Sequence, residues 1–130
     1  MEQDELKTLQ GLEKEAREIL AFLKSEYTPA ELQDRLSIVA GYNARTGEML
    51  AEAECILAKQ KGEVLDRLLE SDPKMSANQQ KVATEAKCAY AIMVCRLIER
   101  ANRATVHGGE IGITQAYVEK ENMSLTRKGY

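Results

Sequence analysis

Residues 29–71, PAELQDRLSIVAGYNARTGEMLAEAECILAKQKGEVLDRLLES, decide the fold. Leu32, Leu36, Val39, Asn43, Thr46, Leu50, Ala53, Leu57, Gln60, Val64 and Arg67 recur at alternating intervals of four and three. That spacing keeps them on one face of an α-helix. Pro29 suits the first helical position, Thr28 can cap the first amides, and Glu31 can reach back to the Thr28 amide. The predicted helix runs over 29–70 and stops at Ser71-Asp72-Pro73. At about 1.5 Å per residue it is roughly 60 Å long, more than one small globule needs.

Three glycines, Gly41, Gly47 and Gly62, interrupt this reading. Each costs about 1 kcal/mol against alanine inside a helix, which leaves a kink near 41–47 as the alternative to a continuous helix. Continuity is favoured because Ala40, Ala44, Gly47, Ala51, Cys55, Ala58 and Gly62 follow one another at intervals of four, three, four, four, three and four. Such a row of small side chains lets another helix come close. The candidate packing and oligomer seam is therefore Ala40, Asn43, Ala44, Gly47, Leu50, Ala51, Leu57 and Ala58. Asn43 and Thr46 either face solvent or sit in the seam and fix its register, as polar core residues do in coiled coils.

On the N-terminal side, Leu9, Leu12, Ala16, Ile19 and Leu23 give a second helix over about 4–26 with one apolar stripe. On the C-terminal side, Ser76-Ala77-Asn78-Gln79 is a capping-box candidate opening a helix over 77–107. This helix is apolar on nearly every side from Ala86 to Ile98, which makes it the central one. Gly108-Gly109 is expected to end it. The segment 110–127 reads as a short helix, although the alternation Ile111-Gly112-Ile113 would also suit a strand. The expected architecture is all-α: a single domain over 1–130, built as an elongated, coiled-coil-like hairpin or bundle of three to four helices that pairs with copies of itself.

Composition supports this. The chain has 130 residues, no Trp, one Phe and two Pro, and its apolar content is largely aliphatic, which suits helices better than a sheet. A net charge of −3 is too near neutral for wholesale attraction to nucleic acid or an acidic membrane, so any anion must meet a local patch. Cys55, Cys88 and Cys95 are odd in number and form no C-x-x-C pair. They read as reduced, buried thiols, and neither a metal nor a cofactor is expected. The start, MEQDELK, is acidic with no apolar leader behind it, and CAYAIMVC is too short to span a bilayer. A soluble, cytoplasmic protein with no membrane partner is expected.

The sequence contains no nucleophile elbow, phosphate-binding glycine loop, zinc-protease helix or EF-hand. His107, oriented by Glu99 or Glu110, is the one candidate general base, but a histidine at a helix end more often complements the helix dipole. No catalytic residue is assigned. The stronger feature is Arg96, Arg100, Arg103 and His107, spaced by four, three and four on one helical face. Guanidinium forks in that arrangement can hold phosphates, with Arg127 and Lys128 as a second contact. The plainer reading is that these arginines cover apolar surface with their stems beside neutralising acids.

The stretch AKCAYAIMVCRLIERANRATVHGGEIGITQAYVEKENMSL resembles the end of small helical proteins encoded by bacteriophages, with an N-R-x-x-x-H element after an apolar helix. The layout is also similar to phage recombination mediator proteins. That resemblance implies an oligomer that binds single-stranded DNA and loads a recombinase, and Arg96, Arg100, Arg103 and His107 are the residues that match a phosphate-contacting position. Gly108-Gly109 and the acidic N-terminal half depart from a strong DNA binder. The other expectations are an inhibitor of a host defence system, either a blocker of a host defence protein or a sponge for a nucleotide signal, and a virion or scaffold component.

Overall fold

The computed structural model describes the backbone of residues 1–127 and the side chains of residues 1–123. Four α-helices follow one another: α1 (Gln3–Lys24), α2 (Leu32–Ser71), α3 (Ala77–Lys87) and α4 (Ala89–Arg127), with a 3₁₀ turn at Pro29–Glu31 before α2. Among the described residues there is no strand, and the protein is an all-α helical bundle.

Each long helix buries the face its spacing dictates. From α1, Leu9, Leu12, Ala16 and Ile19 enter the core. Helix α2 contributes Leu32, Val39, Thr46, Met49, Ala53, Gln60 and Val64. From α4 come Ala91, Val94, Cys95, Ile98 and Ala101. Helix α4 packs on both α2 and α1, while α3 folds back on the C-terminal part of α2.

The core carries one polar layer. Thr46 is fully buried, and Asn102 Nδ2 donates to its Oγ1 at 2.9 Å and to the Asn43 carbonyl at 3.3 Å. Asn43 Nδ2 donates to Thr105 Oγ1 at 3.0 Å, and both threonine hydroxyls donate to backbone carbonyls of their own helices. Because these hydrogen bonds form only when Asn43 and Thr46 stand opposite Asn102 and Thr105, the layer sets the register of α2 against α4. Asn43 and Thr46 thus face the partner helix rather than solvent.

The helix boundaries bear on expectation in three places, and two of them depart from it. First, α2 runs unbroken through 41–47, the favoured alternative, since its apolar face is continuous across the glycines and packing outweighs their propensity cost. Second, the helix expected over 77–107 divides at Cys88, whose φ of −101° and ψ of 13° open the chain. The Lys87 carbonyl accepts from Gln60 Nε2 at a long 3.5 Å instead, and the bend lets α3 reach α2. Third, α4 does not stop at Gly108-Gly109 but continues to Arg127, so 110–127 is no separate segment. These glycines bring the helix close to α1 and α2: a Cβ on Gly108 would lie 3.7 Å from Leu23 Cδ2 of α1, and one on Gly109 3.9 Å from Val39 Cγ1 of α2. At Gly112, which is buried, a Cβ would overlap the Leu36 side chain.

The glycines therefore sort by surroundings, and substitution should separate them. Gly41→Ala meets nothing within 4 Å and is expected to raise the unfolding free energy by up to about 1 kcal/mol through helix propensity. Gly112→Ala must displace Leu36 and is expected to lower it by about 1–2 kcal/mol, overpacking outweighing the same propensity gain. Urea unfolding of the two variants checks the opposite signs.

The caps also divide. Ser76 Oγ accepts the Gln79 amide at 3.2 Å and Gln79 Oε1 accepts the Ser76 amide at 3.1 Å, a complete capping box. Thr28 makes no such cap: its hydroxyl donates to Glu31 Oε1 at 2.9 Å, and the chain enters α2 through the 3₁₀ turn. The α1–α2 connection is held by Arg35. Its Nη2 donates to the Leu23 carbonyl and its Nη1 to Ser25 Oγ, both at 2.9 Å. The guanidinium carbon lies 4.5 Å from the ring centres of both Phe22 and Tyr27.

Two clasps join α1 to its neighbours and make stability depend on pH. Tyr90 Oη donates to Glu13 Oε1 at 2.8 Å, and Arg45 forks onto Glu15 at 2.7 and 2.8 Å. Glu13 titrates below its ordinary value because of the Tyr90 and Arg17 hydrogen bonds, and Glu15 because of Arg45. Tyr90 is pushed up to about 12 by burial and by the bond to Glu13, while burial raises Cys88 and Cys95. Carboxyls lowered by folding stabilise the fold above their ordinary value and lose that contribution as pH falls. Thiols and phenols raised by folding stabilise it below their ordinary value and lose that contribution as pH rises. The unfolding midpoint is thus expected to be highest between the ordinary carboxyl value of 4.5 and the ordinary thiol value of 9.0, falling on either side. In Tyr90→Phe the acid-side fall should be shallower, which thermal unfolding across pH measures.

Candidate anion-binding face of helix α4

The core face of α4 carries Ala91, Val94, Cys95, Ile98, Ala101 and Thr105. At 100° per residue, Arg96, Arg100, Arg103 and His107 fall on the opposite side, and all four are exposed. Their stems therefore do not serve as covers for the apolar core.

None of the four makes an ion pair or side-chain hydrogen bond among the described residues. Arg17, Arg35 and Arg45 contrast with them, since each is tied to a carboxylate, a carbonyl or an aromatic ring within the chain. Glu99 is half-buried on the flank of the row and Glu110 is exposed beyond its C-terminal end, yet neither pairs with it. Among the described residues the row is an unpartnered ridge of three arginines and a histidine, about 16 Å long at roughly 1.5 Å per residue. Guanidinium groups held at such intervals suit a chain of phosphates or carboxylates better than a single small anion. Arg127 lies in α4, but its side chain is outside the described residues, as is Lys128 altogether.

The other sequence candidates do not assemble into a reactive site. Neither Glu99 nor Glu110 holds His107, so no base and orienting group stand together. Among the described residues no three His, Cys, Asp or Glu side chains are grouped to hold a metal ion. Cys88 and Cys95 are buried, whereas Cys55, expected to be buried with them, is exposed, and all three are free thiols. No described helix is long and apolar enough to cross a membrane.

The expected seam splits by face. Asn43, Leu50 and Leu57 are half-buried on the side of α2 that meets the bundle, the two leucines packing on the core. Ala40, Ala44, Gly47, Ala51 and Ala58 are exposed. They are not an intramolecular packing seam, because α1 and α4 already occupy the face with the larger side chains.

Two features escaped the sequence. Arg35 carried no signal, since its partners at Phe22, Leu23, Ser25 and Tyr27 are brought together only by the turn between α1 and α2. The other is a groove of about 600 Å³ between that turn and α4, lined by Glu26, Tyr27, Pro29, Leu32, Gln115 and Val118 among others. Tyr27 donates a hydrogen bond to Gln115 across it. It exists because α4 continues past Gly108-Gly109, where the sequence suggests a stop. No known protein family matches the chain, and neither the curated proteins nor the solved structures contain a significant match.

Proposed function

We propose that this is a non-enzymatic, self-associating helical binding protein whose α4 ridge holds a polyanionic partner, with single-stranded DNA as the leading polymer. The observation that carries this reading is the exposed row Arg96, Arg100, Arg103 and His107, unpaired among the described residues, on a chain of net negative charge. Its place in recombination or replication, as an accessory that cooperates with a recombinase, rests on the resemblance to phage recombination mediators.

A flexible single strand can follow a short straight ridge, whereas the duplex backbone curves away from it, so the single strand should be preferred. Binding of a labelled single-stranded oligonucleotide, followed by fluorescence anisotropy through a salt series, tests this. About three to four neutralised phosphates predict that log K falls with log salt at a slope of roughly −2 to −3. Absence of binding at low salt, or binding indifferent to salt, would contradict the reading. Stable capture of a host immune protein in place of DNA would favour the defence-inhibitor expectation.

A further inference from the structure

The large apolar side chains that stay exposed are not scattered. Of the eleven among the described residues, six lie between Val106 and Met123 in the C-terminal half of α4, a patch rather than the ordinary sprinkling of a surface. Val106, Glu110, Ile113, Tyr117 and Lys120 follow one another at intervals of four, three, four and three, so they share one face of the helix. All five are exposed, and Ile113 and Tyr117 keep 66% and 65% of their surface in solvent. The face borders a groove of about 410 Å³, lined by Leu36, Val39, Val106, Gly109, Glu110 and Ile113 among others. Every lining residue belongs to α2 or α4. Helix α1 packs on the other side of α4, where Leu23 approaches Gly108, so the groove lacks a third helix.

We propose that α4 of a second copy fills this groove, antiparallel, about a two-fold axis between Ile113 and Tyr117. In that register Ile113 meets Tyr117 of the second copy and Glu110 meets Lys120, and the two-fold repeats both contacts. Helical spacing only brings these positions opposite one another. Their residue types make the match, apolar against apolar and acid against base. Neither the Glu110 carboxylate nor the Lys120 ammonium makes an ion pair within the chain among the described residues, so both are available across the axis. A parallel pair would instead set Glu110 against Glu110 and Lys120 against Lys120. An isologous interface must be self-complementary in this way, a demand that an unrelated partner does not impose.

The row spans about 21 Å of helix. A helix about 10 Å across, seated between α2 and α4 over that length, covers on the order of 500 Å² of each copy, or roughly 1,000 Å² in total. That is the lower edge of a specific interface, so the pair is a reversible dimer rather than an obligate one. The proposal rests on the self-association in the reading above and names the face that performs it.

Sedimentation equilibrium of the full chain, without oligonucleotide, should show a monomer–dimer equilibrium. Ile113→Glu should weaken association by at least about 30-fold, because the two-fold places an unpaired carboxylate against Tyr117 twice. Glu110→Lys should weaken it by about 10-fold at low salt, since lysine then faces Lys120 at both contacts. Adding Lys120→Glu to that variant restores opposite charges and should return association to within a few-fold of the wild type. All three side chains are exposed, so helix content should be unchanged throughout. A wild-type chain that stays monomeric would overturn both this proposal and the self-association it rests on. A wild-type dimer that Ile113→Glu leaves intact, or that the charge exchange fails to restore, would overturn this face alone.

Discussion

Reversing the charge at Arg100 and Arg103 together is expected to weaken single-stranded oligonucleotide binding by about 100- to 1,000-fold at low salt. Each reversal removes an attraction and adds a repulsion, each worth on the order of 1 kcal/mol near a surface in water. The four changes therefore sum to about 3–4 kcal/mol, less what salt screens. Both side chains are exposed and make no contact that the fold uses, so helix content and the unfolding midpoint should stay as in the wild type. Lys14→Glu with Lys24→Glu on α1 changes net charge equally and serves as the control. It should cost no more than a few-fold. Equal losses in the two double variants would mean that net charge, not the ridge, governs binding.

Arg35→Ala is expected to lower the unfolding free energy by about 3 kcal/mol. It removes two hydrogen bonds from a charged donor and a guanidinium lodged between the Phe22 and Tyr27 rings. It also leaves the Leu23 carbonyl at the end of α1 without that donor. Arg35→Lys retains the charge but not the planar fork, and should recover less than half of the loss. Denaturant unfolding of the two variants distinguishes this from a surface charge effect, in which lysine would restore stability fully.

The sequence conveyed the faces of the helices more clearly than their ends. Leu9, Leu12, Ala16 and Ile19 are buried as their spacing indicates, as are Val39, Thr46, Ala53 and Val64, because helical periodicity is a local property of the chain. The ends depend on tertiary packing. Gly108-Gly109 reads as a stop, yet α2 offers α4 a surface at Leu36 and Val39 that glycines can approach. Cys88 lies within an apolar run with no breaker, and the division there follows from α3 reaching back to α2. The same distinction applies to the candidate site. Four residues at helical spacing must share a face, so the arginine row was legible as a stripe, but its exposure depended on which side of α4 the bundle would take. The small residues from Ala40 to Gly62 were legible as one stripe of the helix. That they face outward follows only once α1 and α4 fill the other side of α2.

The ¹H–¹⁵N spectrum of the uniformly labelled protein, titrated with a single-stranded oligonucleotide, locates the contact surface residue by residue. If α4 holds the polymer as argued, the amides of Arg96, Arg100, Arg103 and His107 and the side chains of the three arginines shift together and saturably, while the amides of α1 around Lys14 and Glu18 stay in place. Shifts confined to the groove around Tyr27 and Gln115, or none at all as the oligonucleotide reaches excess, would contradict it.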